Sequence, residues 1–170
     1  MKKIFSLLSI AFIMLQSCSS PSNDSSSSSS VYKWSFKLDG VLYEWSGGLY
    51  DQAGQNYYRK GQAKLLLTKE NLSVNILFPN SSTGNFIINN STWQSSNMMI
   101  IFQYTNMDFD IYETSGSIEN TMNVNVSSIS TDTNPLNPGK TTGTFSGTIQ
   151  NPNGQLSTIT NGVFEVRTSE

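Results

Sequence analysis

Apolar and polar residues alternate along the segment YKWSFKLDGVLYEW, which begins at residue 32. A period of two places every second side chain on one face, as in a half-buried β-strand. Asp39-Gly40 interrupts the alternation and is a strong signal for a two-residue hairpin turn, because both residues tolerate a positive φ. The turn fixes a register in which the apolar pairs that share one face are Leu38 with Val41, Phe36 with Tyr43 and Trp34 with Trp45.

A second hairpin and a continuing sheet are predicted by the next alternating segments. The inward positions of this hairpin are Ala63, Leu65 and Leu67 on one strand and Leu72, Val74, Ile76 and Phe78 on the other. A turn over residues 68–71 sets Leu67 opposite Leu72 and Leu65 opposite Val74. The nearly continuous apolar run 98–104 predicts a central strand that is buried on both faces. Residues 109–113 are expected to pair back on that strand.

The rest of the chain consists of further short apolar segments between polar turns. Strands are predicted over residues 86–88, 122–126 and 163–167, and Gly143 and Gly147 indicate bends or close packing around Phe145. No segment after residue 30 has a helical period in its sequence. The pattern therefore predicts an all-β fold, an antiparallel β-sandwich of about nine or ten strands, with a lipocalin-like β-barrel as the alternative.

The first eighteen residues have the layout of an export signal. Lys2 and Lys3 precede an apolar run over residues 4–15, which is too short to cross a bilayer as a helix. Leu15, Gln16, Ser17 and Cys18 follow, and this order resembles the lipobox of bacterial lipoproteins. The resemblance implies cleavage before Cys18 and attachment of lipid to its thiol. Several acyl chains on one residue hold a protein firmly at a membrane, whereas one chain alone is marginal.

A serine-rich segment separates Cys18 from the predicted strands. Residues 19–30 are serine apart from Pro21, Asn23 and Asp24, and a segment with so little to bury is typical of a flexible tether. Twelve such residues have a root-mean-square span of about 20 Å. The predicted organisation is a signal peptide over 1–17, a lipidated cysteine and tether over 18–30, and one β domain over 31–170.

Composition narrows the chemistry that this domain can perform. The chain has no histidine, and Cys18 is its only cysteine, which excludes Ser-His-Asp and Cys-His catalysis and His-ligated zinc. No phosphate-binding glycine motif occurs, and we expect no cofactor. Removal of residues 1–17 leaves eight basic and twelve acidic residues, and this balance, without a basic cluster in the sequence, argues against nucleic acid as a partner.

The two ends of the domain resemble small Bacteroidota cell-envelope lipoproteins of unassigned function. The opening FKLDGVLYEW has their aromatic strand, DG turn and second aromatic strand, and the closing segment has GTFSGTI and ITNGVFEV where they have GxFxG and ITNGxFxV. The likeness covers about a third of the chain. It implies a lipid-anchored protein of the outer membrane, with its domain on the periplasmic side or at the surface, and it supplies no catalytic residues.

Aromatic residues provide two candidate binding sites. The face formed by Tyr32, Trp34, Phe36, Tyr43 and Trp45 is either a platform on which sugar rings stack or part of the hydrophobic core. The second site consists of two polar loops with aromatic residues, which suit glycan or protein binding. Its candidate ligand-binding residues are Trp93, Tyr50, Tyr57 and Tyr58.

Acidic residues in the segment NMDFDIYE provide a third candidate. Asp108 and Asp110 are two residues apart, so on a strand they share a face at a separation of about 7 Å. That arrangement suits a weak calcium site or a pair of glycosidase carboxylates, with Glu113 as a further candidate, and it equally suits a charged strand edge.

Three hypotheses for function follow from these observations. The first is a lipid-anchored, non-enzymatic module that binds a glycan or an envelope protein. The second is a barrel that holds a small apolar ligand, and the third is a carboxylate-dependent glycoside hydrolase. We favour the first, because the sequence combines an anchor and a tether with a β domain that lacks a catalytic constellation.

Overall fold

The structure is a computed structural model, and it describes residues 31–48, 56–92, 95–103, 108–114, 121–131 and 139–169. These residues form eleven strands and two short 3-10 turns, at Lys60–Gln62 and Asn90–Thr92. The strands are β1 (Tyr32–Leu38), β2 (Val41–Gly47), β3 (Tyr57–Arg59), β4 (Lys64–Lys69), β5 (Leu72–Leu77), β6 (Gly84–Asn89), β7 (Asn97–Gln103), β8 (Phe109–Glu113), β9 (Thr121–Ile129), β10 (Lys140–Gln150) and β11 (Leu156–Ser169).

All eleven strands belong to one hydrogen-bonded sheet. Their order is β2-β1-β11-β3-β4-β5-β7-β8-β10-β9-β6, with an additional pairing between β10 and β11. That pairing closes a ring, because the series β3-β4-β5-β7-β8 leads from β11 back to β10. Strand β3 runs parallel to β11, and the other pairings between described strands are antiparallel.

The predicted all-β class is confirmed. Because hydrogen bonds join the strands into one mixed sheet, the two separate sheets of a sandwich are not established, and the choice between sandwich and barrel stays a prediction. Among the described residues no helix has the length and apolar character needed to cross a bilayer.

The first hairpin has the predicted register. Trp34 pairs with Trp45, Phe36 with Tyr43 and Leu38 with Val41. Asp39 and Gly40 have φ values of 50° and 85°, as the tight turn requires. Strand β1 is covered on both edges, by β2 and β11, whereas β2 lies at the edge of the sheet. The apolar side chains of β1 are therefore buried, while those of β2 are half-buried or exposed.

The second hairpin forms with a register that differs from the predicted one. Leu67 pairs with Val74 and Leu65 with Ile76, a shift of two residues, because the turn contains only Glu70 and Asn71. Glu70 adopts a φ of 50°, a conformation that glycine or asparagine adopts more readily than glutamate. The sequence therefore carried no clear signal for so short a turn.

Strand β7 is fully buried on one face only, and two glycines of β10 lie at points of close packing. Strand β8 pairs back on β7 as predicted, but β7 buries Met98, Ile100 and Phe102 while the alternate side chains are half-buried, so only one face is fully covered. Gly143 and Gly147 lie where a Cβ atom would meet backbone oxygens at 2.2 and 2.0 Å. Both glycines are therefore required by close packing, as predicted.

One hydrophobic core connects the two halves of the sheet. The ring of Tyr43 on β2 lies 5.3 Å from that of Phe102 on β7, and Phe36 on β1 lies 5.7 Å from Phe145 on β10. Aromatic pairs at such separations add to the stability gained from burial alone. This packing fixes the inner side of the first hairpin and leaves its outer side and free edge accessible.

Candidate ligand-binding cleft

An open cleft of about 450 Å³ lies along the first hairpin. We call it the hairpin cleft. Its lining consists of two tryptophans, two serines, three charged residues and a valine: Lys33, Trp34, Ser35, Glu44, Trp45, Ser46, Lys69 and Val163. Clefts of this size are typical of small-ligand sites, in which a few polar groups orient a ligand against an apolar surface.

The position of β2 explains why Trp45 is accessible. Trp45 pairs with Trp34, but β2 has no partner strand on its outer edge among the described residues, and the Trp45 side chain is only half-buried. Trp34, one strand further in, is 1% exposed. An edge strand therefore gives the cleft an indole surface that a central strand would bury.

Asn56 anchors the buried side of the hairpin cleft. Its side-chain oxygen accepts hydrogen bonds from Trp34 Nε1 at 2.8 Å and from the backbone N–H of Thr68 at 2.6 Å. Asn56 is fully buried, so its bond to Trp34 is shielded from water, while the bond to Thr68 is partly buried. The asparagine thereby connects β1 to the end of β4, where Lys69 enters the lining.

Charges of both signs surround the cleft. Lys33 and Lys69 bring ammonium groups and Glu44 a carboxylate. Lys33 Nζ also lies 3.6 Å from a carboxylate oxygen of Glu165 on β11. A hydrogen bond from Lys140 and the positive charges of Lys140 and Lys33 lower the pKa of Glu165, against the opposing effect of burial. Glu165 is therefore ionised at neutral pH.

The residues of the predicted aromatic platform are divided between the hydrophobic core and the hairpin cleft. Tyr32, Trp34 and Phe36 are buried at 0–1% exposure and belong to the interior. Tyr43 and Trp45 are only half-buried. Of the two tryptophans that line the cleft, only Trp45 is partly exposed, so the structure narrows the predicted platform to one residue.

The candidate residues of the polar loops have different surroundings. Tyr58 is fully buried in β3, where its ring lies 5.8 Å from that of Phe78 and burial raises its pKa. Tyr58 therefore lies in a strand with its ring in the core and not in an accessible loop. Tyr57 is half-buried, with the Arg59 guanidinium 5.1 Å from its ring centroid. Tyr50 and Trp93 lie outside the described residues, as do Leu15, Gln16, Ser17 and Cys18.

The candidate carboxylates do not all share one site. Asp110 is opposite Phe102 in the β7–β8 pairing, and Glu113 is opposite Met99, so the alternation of β8 places these two carboxylates on opposite faces. Asp108 precedes the strand and is exposed. No group of three or more His, Cys, Asp or Glu side chains suited to a metal ion occurs within the described ranges.

Asp110 instead lies near a group that sequence reasoning missed. Burial raises the pKa of Tyr112, and the negative charges of Asp110 and Asp39 raise it further. Tyr112 packs against Phe102 at 5.8 Å between ring centroids. Because Asp39 and Asp110 are 71 positions apart in the sequence, only the folded sheet brings their charges to one tyrosine.

A second open cleft, of about 400 Å³, lies where β8 meets β10. Its lining residues are Phe109, Ile111, Glu113, Gln150, Asn151, Pro152 and Gly154. The Phe109 side chain is 51% exposed. The cleft depends on the pairing of Gln150 with Glu113, which no sequence motif signals.

Comparisons with known proteins were negative. No family model, no curated protein and no solved structure matches the chain. The fold and the clefts are therefore the basis for assigning a function.

Proposed function

We propose that this protein is a lipid-anchored, non-enzymatic β-domain protein of the cell envelope that binds a glycan in the hairpin cleft. The observation that carries the proposal is the half-buried Trp45, which lines the hairpin cleft together with the polar residues Ser46 and Glu44.

The chemistry of this lining suits a sugar. An indole offers a flat apolar surface to the C–H face of a sugar ring, while hydroxyl, ammonium and carboxylate groups exchange hydrogen bonds with its hydroxyls. Ser35 and Ser46 both donate and accept, Lys33 only donates, and Glu44 accepts. The open form of the cleft suits a segment of a polymer better than an enclosed apolar molecule.

Support for the membrane anchor comes from the first thirty residues. The order Leu15-Gln16-Ser17-Cys18 after an apolar run resembles a lipobox, and the serine-rich segment after it is long enough to hold a domain about 20 Å from a bilayer. We place the protein at the outer membrane on this resemblance, with the domain on either side of it.

A glycan array tests the binding proposal. The wild-type chain starting at residue 19 and its W45A variant are labelled and applied separately to an array of bacterial and plant glycans. We expect a defined set of glycans to be bound by the wild-type chain, with at least about tenfold weaker binding by W45A, which corresponds to about 1.4 kcal/mol. Leu42→Ala is the matched control, because Leu42 is an exposed apolar residue of the same strand that does not line the cleft. Silence across the array, or equal loss in both variants, contradicts the proposal.

Metabolic labelling tests the anchor separately. Cells that express the full chain are grown with labelled palmitate, and the wild-type protein is expected to take up label and enter the membrane fraction. Cys18→Ala removes the thiol that is alkylated and should remain unlabelled, whereas Ser19→Ala, its neighbour, should be labelled normally. Label retained on Cys18→Ala would refute the anchor.

A further inference from the structure

Five basic side chains form a continuous strip on the outer face of the sheet, which we call the basic strip. They are Lys33 on β1, Arg59 on β3, Lys64 on β4, Lys140 on β10 and Arg167 on β11. The strand pairings bring them together, because Lys140 is opposite Arg167 and Arg59 is opposite Lys64. Tyr57 connects the two groups, since it is opposite Arg167 and carries the Arg59 guanidinium over its ring.

The charge of the strip is opposite to that of the whole molecule. The chain has a formal net charge of −2, yet the strip contains five of the eight basic residues that follow residue 30. Among the described residues, Glu165 forms ion pairs with two members of the strip, Lys33 and Lys140. Arg59, Lys64 and Arg167 form no ion pair with another described residue, and Arg167 Nε is buried without a hydrogen-bond partner among them. The strip therefore presents cations that the described residues do not neutralise.

The chain enters the domain at the same place. Val31, the first described residue, is 56% exposed, and its backbone oxygen accepts a hydrogen bond from Lys140 Nζ at 3.5 Å. Lys140 Nζ also lies 5.7 Å from the ring centroid of Tyr32. The first described residue thus lies beside the basic strip, where β1 and β10 begin and β11 ends.

We propose that the basic strip is a membrane-docking surface that binds anionic lipid headgroups and orients the domain on the bilayer. The inference rests on the lipid anchor of the proposed function, because a tether attached beside the strip turns this face toward the bilayer. Electrostatic attraction acts over about 8 Å at physiological ionic strength, and a tether with a span of about 20 Å allows such an approach. Charge complementarity selects acidic headgroups over zwitterionic ones.

Vesicle binding tests the proposal without the anchor. The chain starting at residue 19 lacks Cys18 and retains the described core, which extends from Trp34 to Val166. It is mixed with phosphatidylcholine vesicles, with or without phosphatidylglycerol, and the bound fraction is measured by sedimentation. We expect binding to the anionic vesicles that weakens as salt is raised, and much weaker binding to phosphatidylcholine alone. Failure to bind the anionic vesicles would overturn the proposal.

Paired variants locate the binding surface. R59Q/K64Q should reduce the vesicle partition coefficient by about tenfold or more, since each basic residue near an anionic surface contributes about fivefold. K37Q, which removes a positive charge outside both the strip and the hairpin cleft, should change the coefficient by less than about threefold. Both variants keep Arg167, which is partly buried, and circular dichroism verifies their fold. Equal losses in the two variants would overturn the proposal.

A soluble polyanion distinguishes the membrane from an anionic glycan. Binding of heparin by the wild-type chain without binding to anionic vesicles would assign the strip to a glycan and refute membrane docking. These outcomes are independent of the glycan array and the palmitate labelling, which depend on Trp45 and Cys18. A failed docking surface is therefore distinguishable from a failed cleft or anchor.

Discussion

At the scale of single residues, Asn56 is the polar side chain on which the buried side of the hairpin cleft depends. Its oxygen accepts hydrogen bonds from the Trp34 indole and the Thr68 backbone. The bonds connect residues 22 and 12 positions apart, so no local sequence pattern singles out this asparagine. The burial of Tyr58 has no sequence signal for the same reason, since it depends on the three-residue strand β3 and on Phe78.

Asn56→Ala should lower the free energy of unfolding by about 2–4 kcal/mol, because it removes the acceptor of the buried Trp34 N–H and of the partly buried Thr68 N–H. The matched control is Asn123→Ala, at an exposed position of β9, where a change within about 0.5 kcal/mol is expected. Urea denaturation followed by tryptophan fluorescence measures both variants. Equal stability of the two would show that the Asn56 hydrogen bonds do not support the fold.

At the scale of elements, strong turn signals determined which hairpin registers could be predicted. Asp39-Gly40 specifies a two-residue turn, and the β1–β2 register is as predicted. Glu70-Asn71 has no such signal, and the β4–β5 register was misplaced by two residues. Strand β3 could not be predicted, because three residues that pair in parallel with the end of β11 carry too little periodicity. Alternation thus predicts that a strand exists, whereas the pairing register can be predicted only where the turn residues favour one turn length.

Asp39 provides a test of how the first hairpin is fixed. Its side-chain oxygen accepts a hydrogen bond from the Thr158 backbone at 2.7 Å, and its φ is 50°. Asp39→Ala loses this acceptor and places alanine in a left-handed conformation, so a destabilisation of about 1–2 kcal/mol is expected. Asp39→Asn keeps an acceptor and tolerates this φ, and should cost less than half as much. Thermal unfolding compares the two, and equal losses would contradict this account of the turn.

At the scale of the whole molecule, the all-β class can be predicted from the sequence, whereas the closure of the strands into a ring cannot. Period-two alternation and polar turns persist along the domain, which is sufficient to predict strands throughout. Ring closure depends on the parallel β3–β11 pairing and on one β8–β10 residue pair, both between distant segments. The hairpin cleft was anticipated only as an aromatic face, because the position of β2 at a sheet edge decides which ring is accessible.

Global stability should depend on pH through Glu165, which joins β11 to β1 and β10 through Lys33 and Lys140. The pKa of Glu165 is lowered in the folded state. Its contribution to the free energy of unfolding is therefore complete above the usual glutamate pKa of about 4.5, and it is lost as the pH falls through the lower pKa of the folded state. Glu165→Gln should therefore be less stable than wild type at pH 7, and the difference should shrink below about pH 4. Urea unfolding of both proteins at a series of pH values measures this difference in stability. A difference that does not change with pH would contradict the ion-pair assignment.

Glycan binding in the hairpin cleft is the central claim, and isothermal titration calorimetry with the strongest array ligand tests it most directly. Three chains starting at residue 19 are compared: wild type, W45A and F109A, which removes the exposed aromatic ring of the other cleft. The account predicts that wild type and F109A bind with affinities within about twofold and that W45A binds at least about tenfold more weakly. Loss of binding in F109A with full binding by W45A would place the ligand at β8 and β10, and would contradict the account.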